Sequence, residues 1–199
     1  MSEKLANPGP LGLMGFGMTT ILINISNAGF FPIDSMVLAM GIFYGGMAQL
    51  VAGLLCYKHN DTFGMTAFCS YGFYWLILVT LIVMPDMGLA ASPAGFMGWF
   101  FAMWSIFTGL MFIGTLRHPF ALQVVFAGAA TLFALLSIHN FTGSDTFLKL
   151  AGWEGIFCGA SAFYFAIAQV LNGEYGRVVM PVGEKTEKSE EKVTNGVVA

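Results

Sequence analysis

Charge is what this sequence lacks. Asp, Glu, Lys and Arg total 19 of 199 residues, and seven of those fall between Glu184 and Lys192. The rest of the chain has too few charged side chains to clothe a water-soluble globule. With 57% hydrophobic residues and a mean hydropathy of +0.75, it reads as an integral membrane protein. Basic blocks are missing too, so nothing could track a phosphate backbone and no nucleic-acid partner is expected. Cysteine is sparse: Cys56, Cys69 and Cys158 lie in separate apolar runs, which excludes both a disulfide framework and a zinc site. His59, His118 and His139 lie in or beside different loops, and neither H-E-x-x-H nor G-x-S-x-G occurs. Gly12, Gly15 and Gly17 follow no strand and are not a nucleotide fingerprint. Enzyme chemistry is therefore not expected, and neither is a metal or a cofactor.

What the sequence has is long uncharged runs. A helix needs about 20 apolar residues to cross a hydrocarbon core, and such runs extend over Gly12 to Phe31, Ser35 to Tyr57, Thr62 to Met84, Ala94 to Thr115 and Pro119 to Ile138. A sixth, Phe147 to Leu171, carries Lys149 and Glu154 near its start. The first run is too long for a signal peptide and reads as a retained span. The fold expected is all-α: six transmembrane helices around a narrow pathway within the protomer. Residues 1–10 would be an N-terminal segment, 11–175 the membrane domain and 176–199 a largely disordered tail. Seven of the eight Lys and Arg residues group with both termini and only Lys149 lies opposite, so both ends are expected in the cytoplasm.

Polar residues inside the spans mark faces turned away from lipid. Phe16, Thr20, Asn24 and Asn27 recur at steps of four, four and three, hence on one helix face. Gly41, Gly45, Gln49 and Gly53 do the same in the second span. Ser70, Tyr71 and Tyr74 mark the third, Ser105 and Thr108 the fourth, Gln123 and Thr131 the fifth. The sixth offers Glu154, Cys158, Ser161, Gln169 and Asn172. Two readings stand side by side: a thin polar lining for a small solute, or hydroxyls bonded to their own backbone and glycines that let helices pack closely. The amides of Asn24, Gln49 and Gln169 favour the first, because an amide at depth needs several partners.

The opening Asn7-Pro8-Gly9-Pro10-Leu11-Gly12-Leu13 resembles the N-P-A-P-L-G-L signature of the acetate uptake transporter family, the succinate-acetate permeases, with Gly9 in place of Ala. Tyr44 to Gln49, Ser70-Tyr71-Gly72 with Trp75, and Ala151-Gly152-Trp153 leading to Cys158 to Ala162 extend the resemblance from Lys4 to about Gly183. It implies six-helix protomers in a hexameric ring, a path in each protomer for acetate and in several members succinate, proton-coupled uptake or channel-like conduction, and a bacterial or archaeal plasma (inner) membrane. It also implies a central constriction, which carries over to Phe16 and Tyr71. The third member, a Leu in relatives, falls on Ala129, with Leu132 almost one turn on. Pro8 and Pro10 precede or begin the first helix, and Asn7 at its cap would leave N–H groups facing a carboxylate at the cytoplasmic mouth or would serve folding alone.

The expected partners are thus acetate or a similar short monocarboxylate, protons and the lipid bilayer. The substrate-contact candidates are Asn7, Leu11, Thr20, Asn24, Gln49 and Ser70, together with Thr131, Glu154, Ser161 and Gln169. The runner-up is a passive channel for a neutral solute such as ammonia or urea. A third class is a scaffold that transports nothing.

Overall fold

The structure, a computed structural model, describes residues 5–183. Among the described residues, six helices are long and apolar enough to cross a membrane: α1 (Gly9–Asn27), α2 (Ser35–Lys58), α3 (Thr62–Met87), α4 (Ala94–Thr115), α5 (Phe120–Thr142) and α6 (Asp145–Tyr175). The chain is an all-helical, multi-pass membrane protein, and no strand occurs among the described residues.

Helix ends depart from the uncharged runs for local reasons. α1 starts at Gly9, because Pro10 is tolerated in a first turn whose N–H groups have no intrahelical partner anyway. Asp34 caps α2 through Met36 N–H and Val37 N–H, and Asp61 caps α3 through Gly64 N–H at 2.8 Å. Gly143 and Gly176 end α5 and α6 in the left-handed conformation that glycine adopts most readily. α6 takes in Lys149 and Glu154 and outlasts the apolar run at both ends.

One feature of α2 has no counterpart in the hydrophobic pattern. Its middle, Gly41–Ala48, is π-helical, between α-helical Ser35–Met40 and Gln49–Lys58. Three glycines there meet α3. A Cβ on Gly45 would stand 2.7 Å from Cγ of Trp75, and one on Gly41 2.5 Å from Cγ2 of Val79.

α1 packs along α6, α5 between α4 and α6, and α2 against α3 and α1. α3 and α4, consecutive in sequence, bring no stretch of backbone together. Aromatic side chains close that gap instead, with Tyr74 against Trp104 at 5.1 Å and stacked on Phe100 at 5.9 Å. Residues 176–183, placed by the sequence in a tail, turn back under α5 and bond to it. Residues 184–199, the remainder of the expected disordered tail, lie outside the described residues.

Candidate functional site

The polar faces of α1, α3 and α6 and the apolar face of α5 enclose two cavities, of about 440 and 200 Å³. Phe16 alone among the described residues lines both. Its ring meets that of Tyr71 at 5.7 Å. Tyr71 is fixed in turn, since its hydroxyl donates to Thr108 Oγ1 of α4 at 3.0 Å and its ring meets the edge of Phe126 at 6.1 Å. Phe16 and Tyr71 are 6% and 5% exposed, so the divide between the cavities is a packed aromatic layer with no open bore.

The larger cavity opens at the end where α1 begins. Asn7, Gln49, Asp61, His118, Gln169 and Asn172 supply its polar wall. Asn7 Nδ2 donates to Gln169 Oε1 at 2.9 Å, and Asn7 Oδ1 accepts from Gly9 N–H at 2.9 Å, which ties the first helix to the last at the mouth. The Asn7 side chain thus uses the N–H it caps. Pro10 has no N–H and that of Gly12 goes to the Pro8 carbonyl, so the mouth offers far less free backbone than an uncapped helix end. Gln49 is fully buried, and its Oε1 has no partner among the described residues. His118 stacks on Phe63 at 5.3 Å, and Phe63 reaches Phe126 at 5.4 Å, a ring path from the mouth to Tyr71.

The far wall of this mouth is the returning strap. Asn172 accepts from Val179 N–H and Met180 N–H and donates to the Met180 carbonyl, while Tyr164 donates to the Pro181 carbonyl. The carbonyls of Val182 and Gly183 then accept from Ala121 N–H and Phe120 N–H, both at 3.0 Å, and so cap α5. Val182 is buried and lines the larger cavity.

The smaller cavity continues on the other side of Phe16. Asn24 Nδ2 donates to the Thr20 carbonyl and Asn24 Oδ1 accepts from Asn27 Nδ2 at 3.0 Å. His139 and Asn140 stand nearer its open end. Among the described residues, the two cavities are lined by one acid, Asp61, two histidines and no Lys or Arg.

Of the residues singled out from sequence, the structure brings Phe16, Tyr71, Ala129, Asn7, Gln49 and Gln169 to the larger cavity, and Thr20, Asn24 and Leu132 to the smaller. Ala129 and Leu132 therefore lie on opposite sides of the aromatic layer. Leu11, Ser70, Thr131, Glu154 and Ser161 line neither. Thr131 and Ser161 bond to the carbonyls of Ala127 and Cys158 in their own helices, Leu11 is exposed, and Glu154 Oε1 lies against Gly128 in the α5–α6 seam. Sequence reasoning passed over Trp75 as a wall residue, along with His118 and His139. Asn172 was visible only as a polar group at the end of a run, because its partners depend on a turn eight residues on.

A profile described as the GPR1/FUN34/yaaH family matches residues 1–184. The chain is 56% identical over 184 residues to the succinate-acetate/proton symporter SatP of Escherichia coli K12, covering 92% of this chain and 98% of that protein. It is 33% identical over 187 residues to the ammonia transport outward protein 2 of Saccharomyces cerevisiae, covering 89% of this chain and 66% of that protein. Among solved structures, that of the bacterial acetate channel SatP superposes with a TM-score of 0.89 at 55% identity, over 90% of this chain and 100% of the other.

Proposed function

Since the chain belongs to the GPR1/FUN34/yaaH family, we propose that its two cavities are the halves of one path that carries acetate and succinate, coupled to protons, across the inner membrane. The protein is a transporter and not an enzyme. One observation supports the path more than any other: two cavities reach in from opposite ends and share the single side chain Phe16.

Its chemistry suits a small carboxylic acid. A carboxylate loses hydration on meeting the Phe16–Tyr71 layer, and without Lys or Arg in the wall nothing replaces that loss, so the neutral acid crosses at lower cost. Amides and histidines on either side can receive the polar end before and after that step. Asn7, Gln49 and Gln169 do this on the larger side, Asn24 on the smaller. Ala129 and Leu132 set the width above and below the layer.

The grouping of Lys4, Lys58, Arg117 and Arg177 with both termini supports placing the larger cavity on the cytoplasmic side. Assembly into a ring of six protomers, each with its own path, belongs to the same reading and is tested by the mass of the purified protein in native detergent complexes.

Labelled acetate uptake into liposomes holding the purified protein decides the main proposal. Uptake should rise with an inward proton gradient and fall when a protonophore collapses it. No uptake in either state would end the reading. Flux of ammonia or urea that acetate does not inhibit would favour the neutral-solute channel instead, and no flux of any of these through correctly assembled protein would leave a scaffold.

A further inference from the structure

We propose that the returning strap sets which acids the larger cavity admits: Val182 is a specificity-determining side chain of its wall, and Asn172 is the residue that positions it. The proposal rests on the carboxylate path above and assigns part of its selectivity to a segment outside the six spans. Leu13, Phe16, Val125 and Ala129, which line the same cavity, are carried by α1 and α5. Val182 joins their apolar cluster from the strap and is 8% exposed.

The strap is fixed more firmly than a helix cap requires. α5 begins after Pro119, which makes no side-chain cap, and the Gly183 and Val182 carbonyls take the N–H groups of Phe120 and Ala121 that a helix leaves open at its start. Those two bonds serve the cap. The chain just before them is pinned as well: Val179 N–H, Met180 N–H and the Met180 carbonyl bond to Asn172, and the Pro181 carbonyl accepts from Tyr164, all at 2.7 to 2.9 Å. Each residue from Val179 to Gly183 thus has a backbone bond to α5 or α6. An extended segment held at every residue has little freedom in where its side chains go, and the one that lines the cavity is Val182. Gly176 and Gly183, at φ of 61° and 68°, turn the chain into and out of this segment.

Asn172 is committed to this task. Its oxygen accepts twice and its amide donates once, three of the four bonds such a side chain can make. Although it lines the cavity, it has little left to offer a solute. Gln49 in the same wall is the opposite case, fully buried with Oε1 unpartnered among the described residues. Space opened beside a rigid segment stays open, because surrounding structure relaxes into it only in part. Bulk at Val182 therefore translates directly into the size of acid that the cavity accepts.

The test is the lactate to acetate flux ratio in liposomes holding the full chain, read together with the melting temperature of each variant. Val182→Ala should raise the ratio about fivefold, the low end of what an apolar pocket discriminates by a carbon atom or two. Asn172→Leu, similar in volume but without the three bonds, should raise it as much. The two effects should not add in the double variant, because both act through the same side chain. A purely structural role would lower the melting temperature and leave the ratio at its wild-type value, and that result in both folded variants would overturn the proposal. So would a shift in Val182→Ala that Asn172→Leu does not share, or full additivity of the two. If Asn172→Leu does not fold, Asn172→Ala, which removes the bonds without apolar bulk, decides in the same way. Wild-type protein that passes no acetate at all would instead sink the carboxylate reading itself.

Discussion

The seam between α1 and α6 and the seam between α3 and α4 solve the same problem in opposite ways. Along α1 and α6, backbone touches backbone. A Cβ on Gly17 would lie 2.8 Å from the Gly159 carbonyl oxygen, and one on Gly159 2.7 Å from that of Gly17. Gly152 meets the backbone of Ala28, and Gly155 the side chain of Asn24. Between α3 and α4 the helices stand apart, and Tyr71, Tyr74, Phe100, Trp104 and Phe107 fill the space. The first seam cannot yield without moving helices, whereas the second yields by turning side chains. The constriction proposed above would belong on the second kind of wall, and Tyr71 is there, with its ring against Phe16 and against Trp104 and Phe107 of α4.

Bulk placed in the glycine seam should have the largest effect. Gly159→Leu should destabilise the fold by about 3 kcal/mol or more, the top of the range for overpacking, because the blocking atoms are backbone and cannot turn aside. A large fall in melting temperature, or failure to purify folded protein, is the expected result. Gly109→Leu is its control, since nothing among the described residues lies within 4 Å of the Cβ it would add on α4. Equal melting temperatures for the two variants would show that the close seam is not needed.

In the yielding wall the expected effect is on selectivity. Tyr71→Ala removes the ring that closes the layer against Phe16 and should join the two cavities. The flux ratio of lactate to acetate should rise by about tenfold or more, the scale on which an apolar pocket discriminates by a few carbon atoms. An unchanged ratio in a folded variant would place Tyr71 outside the path.

A smaller shift is expected in the opposite direction from Ala129→Leu. Ala129 is 2% exposed and lines the larger cavity just before the layer, while Leu132 lines the smaller one after it. Added bulk at Ala129 should lower lactate flux more than acetate flux, severalfold, within the range of about 1 to 3 kcal/mol for such discrimination. If Ala129 serves helix packing only, the variant instead melts lower by overpacking and keeps its flux ratio.

These contrasts also mark what the amino-acid order made legible. The six spans follow from uncharged runs, because every backbone group in hydrocarbon must be bonded within its own helix and charge is confined to the ends. The face of α1 that lines the cavities was legible as a stripe, since Phe16, Thr20 and Asn24 recur at four-residue steps, but the order of residues left a packing role open beside a lining one. For Thr131 and Ser161 the pattern was ambiguous: a hydroxyl that bonds to its own backbone looks, in one dimension, like one that faces a solute. The π-helical turn was invisible, because Gly41, Gly45 and Gly46 fit an ordinary glycine stripe and the added backbone room is used by Trp75 on another helix. The returning strap was hidden for the same reason, as its carbonyls are aimed by Asn172 and Tyr164 at donors near residue 120.

The finest test separates the two roles of Tyr71. Tyr71→Phe keeps the ring at Phe16 and removes only the hydroxyl that donates to Thr108 Oγ1 at 3.0 Å. Thr108 is fully buried and would lose its partner across the α3–α4 gap. Loss of one such bond costs about 1 kcal/mol, so the melting temperature should fall slightly. The lactate to acetate ratio should stay near wild type, because the ring that sets the width is intact. A wild-type melting temperature with an altered ratio would reverse the assignment. The hydroxyl would then act on the solute, and the aromatic cluster alone would hold the two helices together.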